Sequence, residues 1–181
     1  MSEEKKLVKR CKQRDGRAFN KLYDKYAPVL FGICMRYSAN RAEAEDILQE
    51  AFLTIFGNIE GYKFQGSFEG WMKRITVNTA INLLRSKNYR LHQYFTKDDN
   101  YDVASLDNDA VSGMNEKEIL KCIQKLPTGY RTVFNLFVLE GYKHKEIAEM
   151  LGISENTSRT QLGKARQTLK IEMEKLGYKN E

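Results

Sequence analysis

Apolar residues recur at three- and four-residue intervals along most of the chain, the spacing that lines one face of a helix. Phe19, Leu22, Tyr23, Tyr26, Leu30 and Ile33 form one such row, interrupted only by Pro28. Asn40 with Glu43 three residues on is a capping box, and Ile47, Leu48, Ala51, Phe52, Ile55, Phe56 and Ile59 mark the face of the helix it starts. From Trp71 to Arg90 two periods compete. Ile75, Val77, Thr79 and Ile81 alternate as in a strand, whereas length and the Leu83-Leu84 continuation favour a helix. Asn115 and Glu118 make a second capping box ahead of Ile119, Leu120, Ile123 and Leu126, a run that Pro127 stops. Thr128 is placed to cap a further helix carrying Val133, Phe134, Phe137 and Val138, which Gly141 ends. The pattern predicts an all-α protein.

Charge then divides the chain. Residues 1–90 carry +7, residues 91–115 carry −4 and residues 116–181 carry +3. The middle stretch is rich in Asp, Asn and Ser and lacks helical period, so it reads as an acidic flexible linker between a helical bundle (1–90) and a second helical domain (116–181). The net charge of +6 over 181 residues favours polyanionic partners. No apolar run reaches the roughly 18 to 20 residues a membrane span needs, and Met1 to Lys6 leads into charge instead of a signal-peptide core, which predicts a cytoplasmic protein. Cys11, Cys34 and Cys122 are too far apart for a CxxC pair and are accompanied only by His92 and His144, so they read as reduced thiols with neither metal nor disulfide.

The sharpest motif runs from His144 to Gln167. Ile147, Ala148 and Leu151 face inward, Gly152-Ile153 makes a tight turn, Ser154 caps the next helix, and Ser158, Leu162, Ala165 and Leu169 form its inner face. This is a helix-turn-helix. Asn156, Thr160, Gly163, Lys164 and Gln167, flanked by Arg159 and Arg166, lie on the outer side, and such groups reach base edges and phosphates from a helix in the major groove. A helical hairpin with a solvated basic face would share the pattern, but Gly163 argues against it, because Gly within an exposed helix costs about 1 kcal/mol relative to Ala.

Three further features stand out in the first block. At 100° per residue, Trp71, Arg74, Asn78, Asn82 and Arg85 share one stripe, opposite Met72, Thr76, Ala80 and Leu83. That stripe suits stacking and hydrogen bonding to nucleic acid, although Trp71 and the neighbouring Phe residues could equally be core. The preceding loop from Tyr62 to Phe68 is aromatic and polar, of a kind that could hold an extruded base. Glu43, Asp46, Gln49 and Glu50 form an acidic face, which reads either as plain solvated surface or as the seat of a basic partner, and which repels DNA. Catalytic signatures such as a P-loop, HExxH or GxSxG are absent, so the chain reads as a non-enzyme without cofactor.

Taken together, Ala44 to Phe52, Phe68 to Leu84 with Trp71-Met72-Lys73-Arg74-Ile75 and Val77 to Asn82, and the helix-turn-helix resemble the extracytoplasmic-function class of bacterial RNA polymerase sigma factors, over about Ala18 to Leu169. The resemblance implies a specificity subunit that binds core RNA polymerase, selects promoters and nucleates their melting. It implies that Asp46, Gln49 and Glu50 meet the clamp helices of the largest subunit, and that the second domain meets the flap of the second-largest subunit. The loop Lys63, Phe64, Gln65, Ser67 and Phe68, with the helix face that includes Asn78, would open the minus-ten element and capture a flipped base. Arg159, Thr160, Gly163 and Lys164 would read the minus-thirty-five duplex, beside Asn156, with Gln161 and Arg166 on phosphates. The acidic linker would thread the RNA path, and an anti-sigma factor would hold the protein inactive. Ser158, where relatives more often carry an apolar residue, Asn156, where they often carry Gly, and Gln161, at a frequently basic position, depart from the pattern. A free-standing helix-turn-helix regulator acting without polymerase is the alternative, and the acidic stripe separates the two.

Overall fold

The computed structural model describes residues 2–87 and 116–178, and these are helical without a strand among them. The helices are α1 (Glu3–Lys12), α2 (Gly16–Tyr37), α3 (Arg41–Asn58), α4 (Phe68–Lys87), α5 (Glu116–Lys125), α6 (Thr128–Phe134), α7 (His144–Leu151) and α8 (Glu155–Lys175). A 3-10 turn (Ile59–Gly61) follows α3, and a π-helical turn (Asn135–Leu139) continues α6. The chain forms two compact units, which divide between Leu83 and Leu84. Asn115, His92 and the acidic stretch 91–115 lie outside the described residues.

In the first unit, hydrogen-bonding side chains set where helices begin. Ser2 accepts the Lys5 N–H, and Asp15 accepts the N–H groups of Arg17 and Ala18 while two guanidinium nitrogens of Arg10 donate to it. The Arg10 charge and those amide donors hold the Asp15 carboxyl below its ordinary range. Asn40 accepts the Glu43 N–H at 2.9 Å, while the Glu43 carboxylate takes the N–H of Ala39, one residue further out than the standard capping box. Helix α2 runs without a break through Pro28, whose ring sits exposed. The apolar rows read from sequence form the core: Leu22, Tyr26, Leu30 and Ile33 of α2 and Ala44, Ile47, Leu48, Ala51 and Ile55 of α3 are buried, with Met72, Val77 and Ala80 of α4. Helix therefore wins the contest over 71–87, since Met72, Thr76 and Ala80, four residues apart, are all buried together with their neighbours Val77 and Ile81.

In the second unit, Cys122 and Ile123 of α5, with Leu126 just after it, pack against Ala165, Leu169 and Met173 of α8. Lys125 bridges to Glu172 at 2.6 Å and Tyr178 donates to Glu118 at 3.0 Å, tying α5 to the end of the chain. Thr128 does not cap α6. Pro127, with an extended backbone, holds the cap position, and Thr128 is the first helical residue, its carbonyl accepting the Thr132 hydroxyl at 2.7 Å. Gly141 adopts φ 77° just beyond the π turn and ends that segment as expected.

Candidate polymerase and promoter interfaces

Local chemistry assembles the helix-turn-helix. Gly152 takes the left-handed conformation (φ 68°, ψ 38°), the Ile153 N–H returns to the Ala148 carbonyl at 3.1 Å, and Ser154 accepts the Thr157 N–H at 2.9 Å. Ala148, small and buried, lets α7 and α8 cross closely. On the outer side of α8, Asn156, Arg159 and Gln167 are exposed, with Thr160, Gly163, Lys164 and Arg166 half-buried beside them. Arg159 pairs with Glu155 at 3.1 Å, a solvent-exposed i,i+4 pair worth about 0.3–0.5 kcal/mol, so a base or phosphate can displace it.

Gln161 contradicts its assignment to a phosphate. It is 3% exposed, on the inner face with Ser158, Leu162 and Ala165, and cannot reach DNA. Ser158 is fully buried, and its hydroxyl lies 2.8 Å from His144 Nδ1, joining the first residue of α7 to α8. The His144 ring also stacks on Phe137, centroids 4.4 Å apart. Burial, and after it Arg159, lowers the His144 pKa below 6.5, with Glu155 opposing and Arg166 adding, so the ring is neutral at pH 7.

In the first unit, Arg74, Asn78, Asn82 and Arg85 are exposed along one stripe of α4, and Trp71 heads it, half-buried. The indole packs on Tyr62 (5.2 Å) and Phe68 (5.5 Å), so it is both core edge and exposed ring. Phe68 itself is 1% exposed, edge-on to Tyr26 and Tyr62, and belongs to the core instead of a base-binding surface. Lys63, Gln65 and Ser67 are exposed, with Ser67 Oγ accepting the Gly70 N–H in the first turn of α4. Phe64 adopts φ 56°, a conformation costing a non-glycine residue about 1–2 kcal/mol, and Gly66 adopts φ 77° with its carbonyl accepting the Tyr62 hydroxyl at 3.0 Å. The loop is thus a shaped turn, with Lys12 Nζ 4.8 Å over the Phe64 ring.

Asp46, Gln49 and Glu50 are exposed on α3, whereas Glu43 is committed to the helix cap and Glu45 pairs with Arg41 at 2.8 Å. Leu53, 66% exposed, continues the Asp46, Gln49 and Glu50 stripe, and Tyr23, 41% exposed, lines with Gln49, Leu48 and Phe31 a groove of about 540 Å³ between α2 and α3. Leu53 is absent from the sequence reading. Its signal is an apolar residue at i+7 from Asp46 and i+4 from Gln49, on the polar side of the helix. An acidic face with an apolar edge suits a helical partner with basic and apolar residues.

The cysteine thiols are buried and free. Burial pushes Cys34 up to about 12, and burial with the Asp15 charge pushes Cys11 up to about 11, so both are unreactive thiols at neutral pH. No helix among the described residues is long and apolar enough to cross a membrane.

The chain is similar to known proteins. The family profile Sigma-70 region 2 matches residues 22–90, and Sigma-70, region 4 matches residues 116–169. The ECF RNA polymerase sigma factor SigW of Bacillus subtilis is 32% identical over 182 residues, covering 95% of this chain and 97% of that protein. The ECF RNA polymerase sigma-E factor of Haemophilus influenzae is 31% identical over 180 residues, covering 94% and 95%. Among solved structures, the sigma factor RpoE of Bartonella quintana, crystallised with the anti-sigma factor NepR, is similar in fold at TM-score 0.51 and 17% identity, covering 86% of this chain and 96% of that one.

Proposed function

Because the chain belongs to the sigma-70 family of RNA polymerase sigma factors, in its extracytoplasmic-function class, we propose that it binds core RNA polymerase, directs it to a particular promoter set and nucleates melting there, with no catalysis of its own. The observation that carries this reading is full-length similarity to sigma factors together with an acidic, apolar-edged face on α3 that a DNA-binding regulator acting alone has no use for.

In this reading Asp46, Gln49 and Glu50, with Leu53 beside them, meet the clamp helices of the polymerase's largest subunit, and the second unit meets the flap of the second-largest. Lys63, Phe64, Gln65 and Ser67, with Trp71, Arg74, Asn78, Asn82 and Arg85, face the minus-ten element. Melting then needs no ATP, because an unstacked base exchanges stacking in the duplex for contacts with the protein. Asn156, Arg159, Thr160, Gly163, Lys164 and Arg166 face the minus-thirty-five duplex, with phosphate contacts fixing register and base contacts supplying sequence. The protein works in the cytoplasm, residues 91–115 link the two domains through the polymerase, and an anti-sigma factor covers both domains when transcription is not required.

Transcription of fragmented genomic DNA by core polymerase with and without the protein tests this. New transcripts that start a fixed distance downstream of a shared two-part element support it; binding of duplex operators by the protein without polymerase, and no new transcripts, contradict it.

A further inference from the structure

Helix α1 and its Lys12 precede the segment that matches sigma-70 region 2, which begins at residue 22. Yet this side chain makes the contacts that shape the loop after α3. The Lys12 ammonium donates to the carbonyl oxygens of Tyr62 and of Glu60, the latter at 3.1 Å, and stands over the Phe64 ring at 4.8 Å. Two carbonyls and one aromatic face thereby surround a single cation. Arg14, two residues on, pairs with Glu60 at 2.9 Å on the same turn. At the other end of α1, Glu4 accepts the Tyr26 hydroxyl at 2.6 Å, so the helix that carries Lys12 is itself fixed to the core.

The conformation held in this way is one the loop would not adopt by default. Phe64 sits at φ 56°, in the left-handed region that disfavours a side chain, and Gly66 at φ 77° follows it. Such a residue stays in place only where neighbours over-determine it. The Lys12 contacts fall on Glu60, Tyr62 and Phe64, the residues that enter and begin the turn, while the Tyr62 hydroxyl grips Gly66 at its far side. Lys63 and Gln65, which alternate with these anchored residues, are left exposed.

We propose that Lys12 is a positioning residue for promoter opening: reaching from α1, it holds the Glu60–Phe64 backbone in the shape in which Lys63, Phe64 and Gln65 receive an unstacked minus-ten base. This rests on the assignment of that loop to the minus-ten element. Lys12 touches no DNA in this scheme and acts through the loop. Its loss leaves polymerase binding by α3 and duplex binding by α8 intact and slows opening.

The test uses holoenzyme rebuilt from core polymerase and the full chain, on a mapped promoter carrying 2-aminopurine at the minus-ten non-template base, whose fluorescence rises on unstacking. Lys12→Met keeps the aliphatic stem and removes the charge, and Lys12→Arg restores it. Expected for Lys12→Met is opening slowed at least about tenfold, the factor corresponding to about 1.4 kcal/mol and to one lost charge-assisted contact. Core affinity stays at its wild-type value, the circular dichroism spectrum shows the helical fold kept, and Lys12→Arg recovers most of the rate. Wild-type opening by Lys12→Met overturns the proposal, as does a loss of core affinity matching the loss of opening, which makes Lys12 merely structural. Wild-type holoenzyme that binds the promoter without any fluorescence rise overturns the loop assignment itself, a result distinct from the other two.

Discussion

Ser158→Val replaces a buried hydroxyl with an apolar side chain, and it should destabilise the second unit. The Ser158 side chain is fully buried and lies 2.8 Å from His144 Nδ1, so valine removes the hydroxyl and strands a half-buried ring nitrogen. Leaving a buried polar atom unsatisfied costs about 1–3 kcal/mol. Extra buried hydrocarbon returns about 0.8 kcal/mol per CH₂-sized group. The net is a loss of up to about 2 kcal/mol, which for a unit of this size lowers the melting temperature by about 4–8 °C per kcal/mol. Replacing His144 with Phe as well removes the stranded nitrogen and keeps the stack on Phe137. The double variant should therefore be more stable than the sum of the single variants implies, with a coupling of about 1 kcal/mol, above the roughly 0.3–0.5 kcal/mol seen between independent sites. Calorimetry of the full chain, following the transition of the second unit, measures all four proteins. Acid gives a second signature. Burial and the Arg159 charge lower the His144 pKa in the folded state, so below pH 6.5 the unfolded chain binds the proton first and stability falls as pH falls. That loss disappears in His144→Phe. Additive single variants, together with the same pH dependence in wild type and His144→Phe, would refute a hydrogen-bonded strut between α7 and α8.

Other consequences can be measured on the same protein. Arg159→Ala or Lys164→Ala should reduce the salt slope of promoter binding by about 1 each if it sits on a phosphate, or relax sequence preference by about 1–3 kcal/mol if it reads a base, whereas Gln161→Ala, a change inside the core, should leave the slope unchanged in filter-binding titrations. Glu172 accepts Lys125 and Lys175 at 2.6 Å each, and these hydrogen bonds bring its pKa down to about 2. Its contribution is therefore complete above pH 4.5 and drains away as pH falls toward 2, and Glu172→Gln should flatten the fall in melting temperature across that window.

Most of the fold was legible because the helices bury wide, regular faces and their starts are written in short capping signals. Asn40, Ser154 and Gly152 did what their chemistry dictates. Where the reading failed, side-chain chemistry was given weight over period. Gln161 is polar, but it lies three residues after Ser158 and four before Ala165, on the inner face, and burial follows that register. Phe68 reads in sequence as the end of the aromatic loop, open between base and core, and its aromatic chemistry assigns it to a base, whereas Tyr26 and Tyr62, distant in sequence, enclose it. Thr128 is a good cap residue, but Pro127 had already set the backbone that starts α6. Long-range contacts carry no local signal at all. That Lys12 meets Tyr62, and that Tyr23 and Phe31 line a groove with Leu48 and Gln49, follows only from how the helices pack.

The central claim is that the acidic face of α3 is a polymerase-binding surface, and competition for core RNA polymerase tests it most directly. Labelled protein is bound to bacterial core enzyme against the housekeeping sigma factor, beside an Asp46→Arg, Glu50→Arg variant. Both side chains are exposed, so the double substitution should leave the circular dichroism spectrum and melting temperature unchanged. The account predicts tight binding that the housekeeping factor displaces and that the charge-reversed variant loses. Equal affinity of the folded variant and the wild type would contradict it.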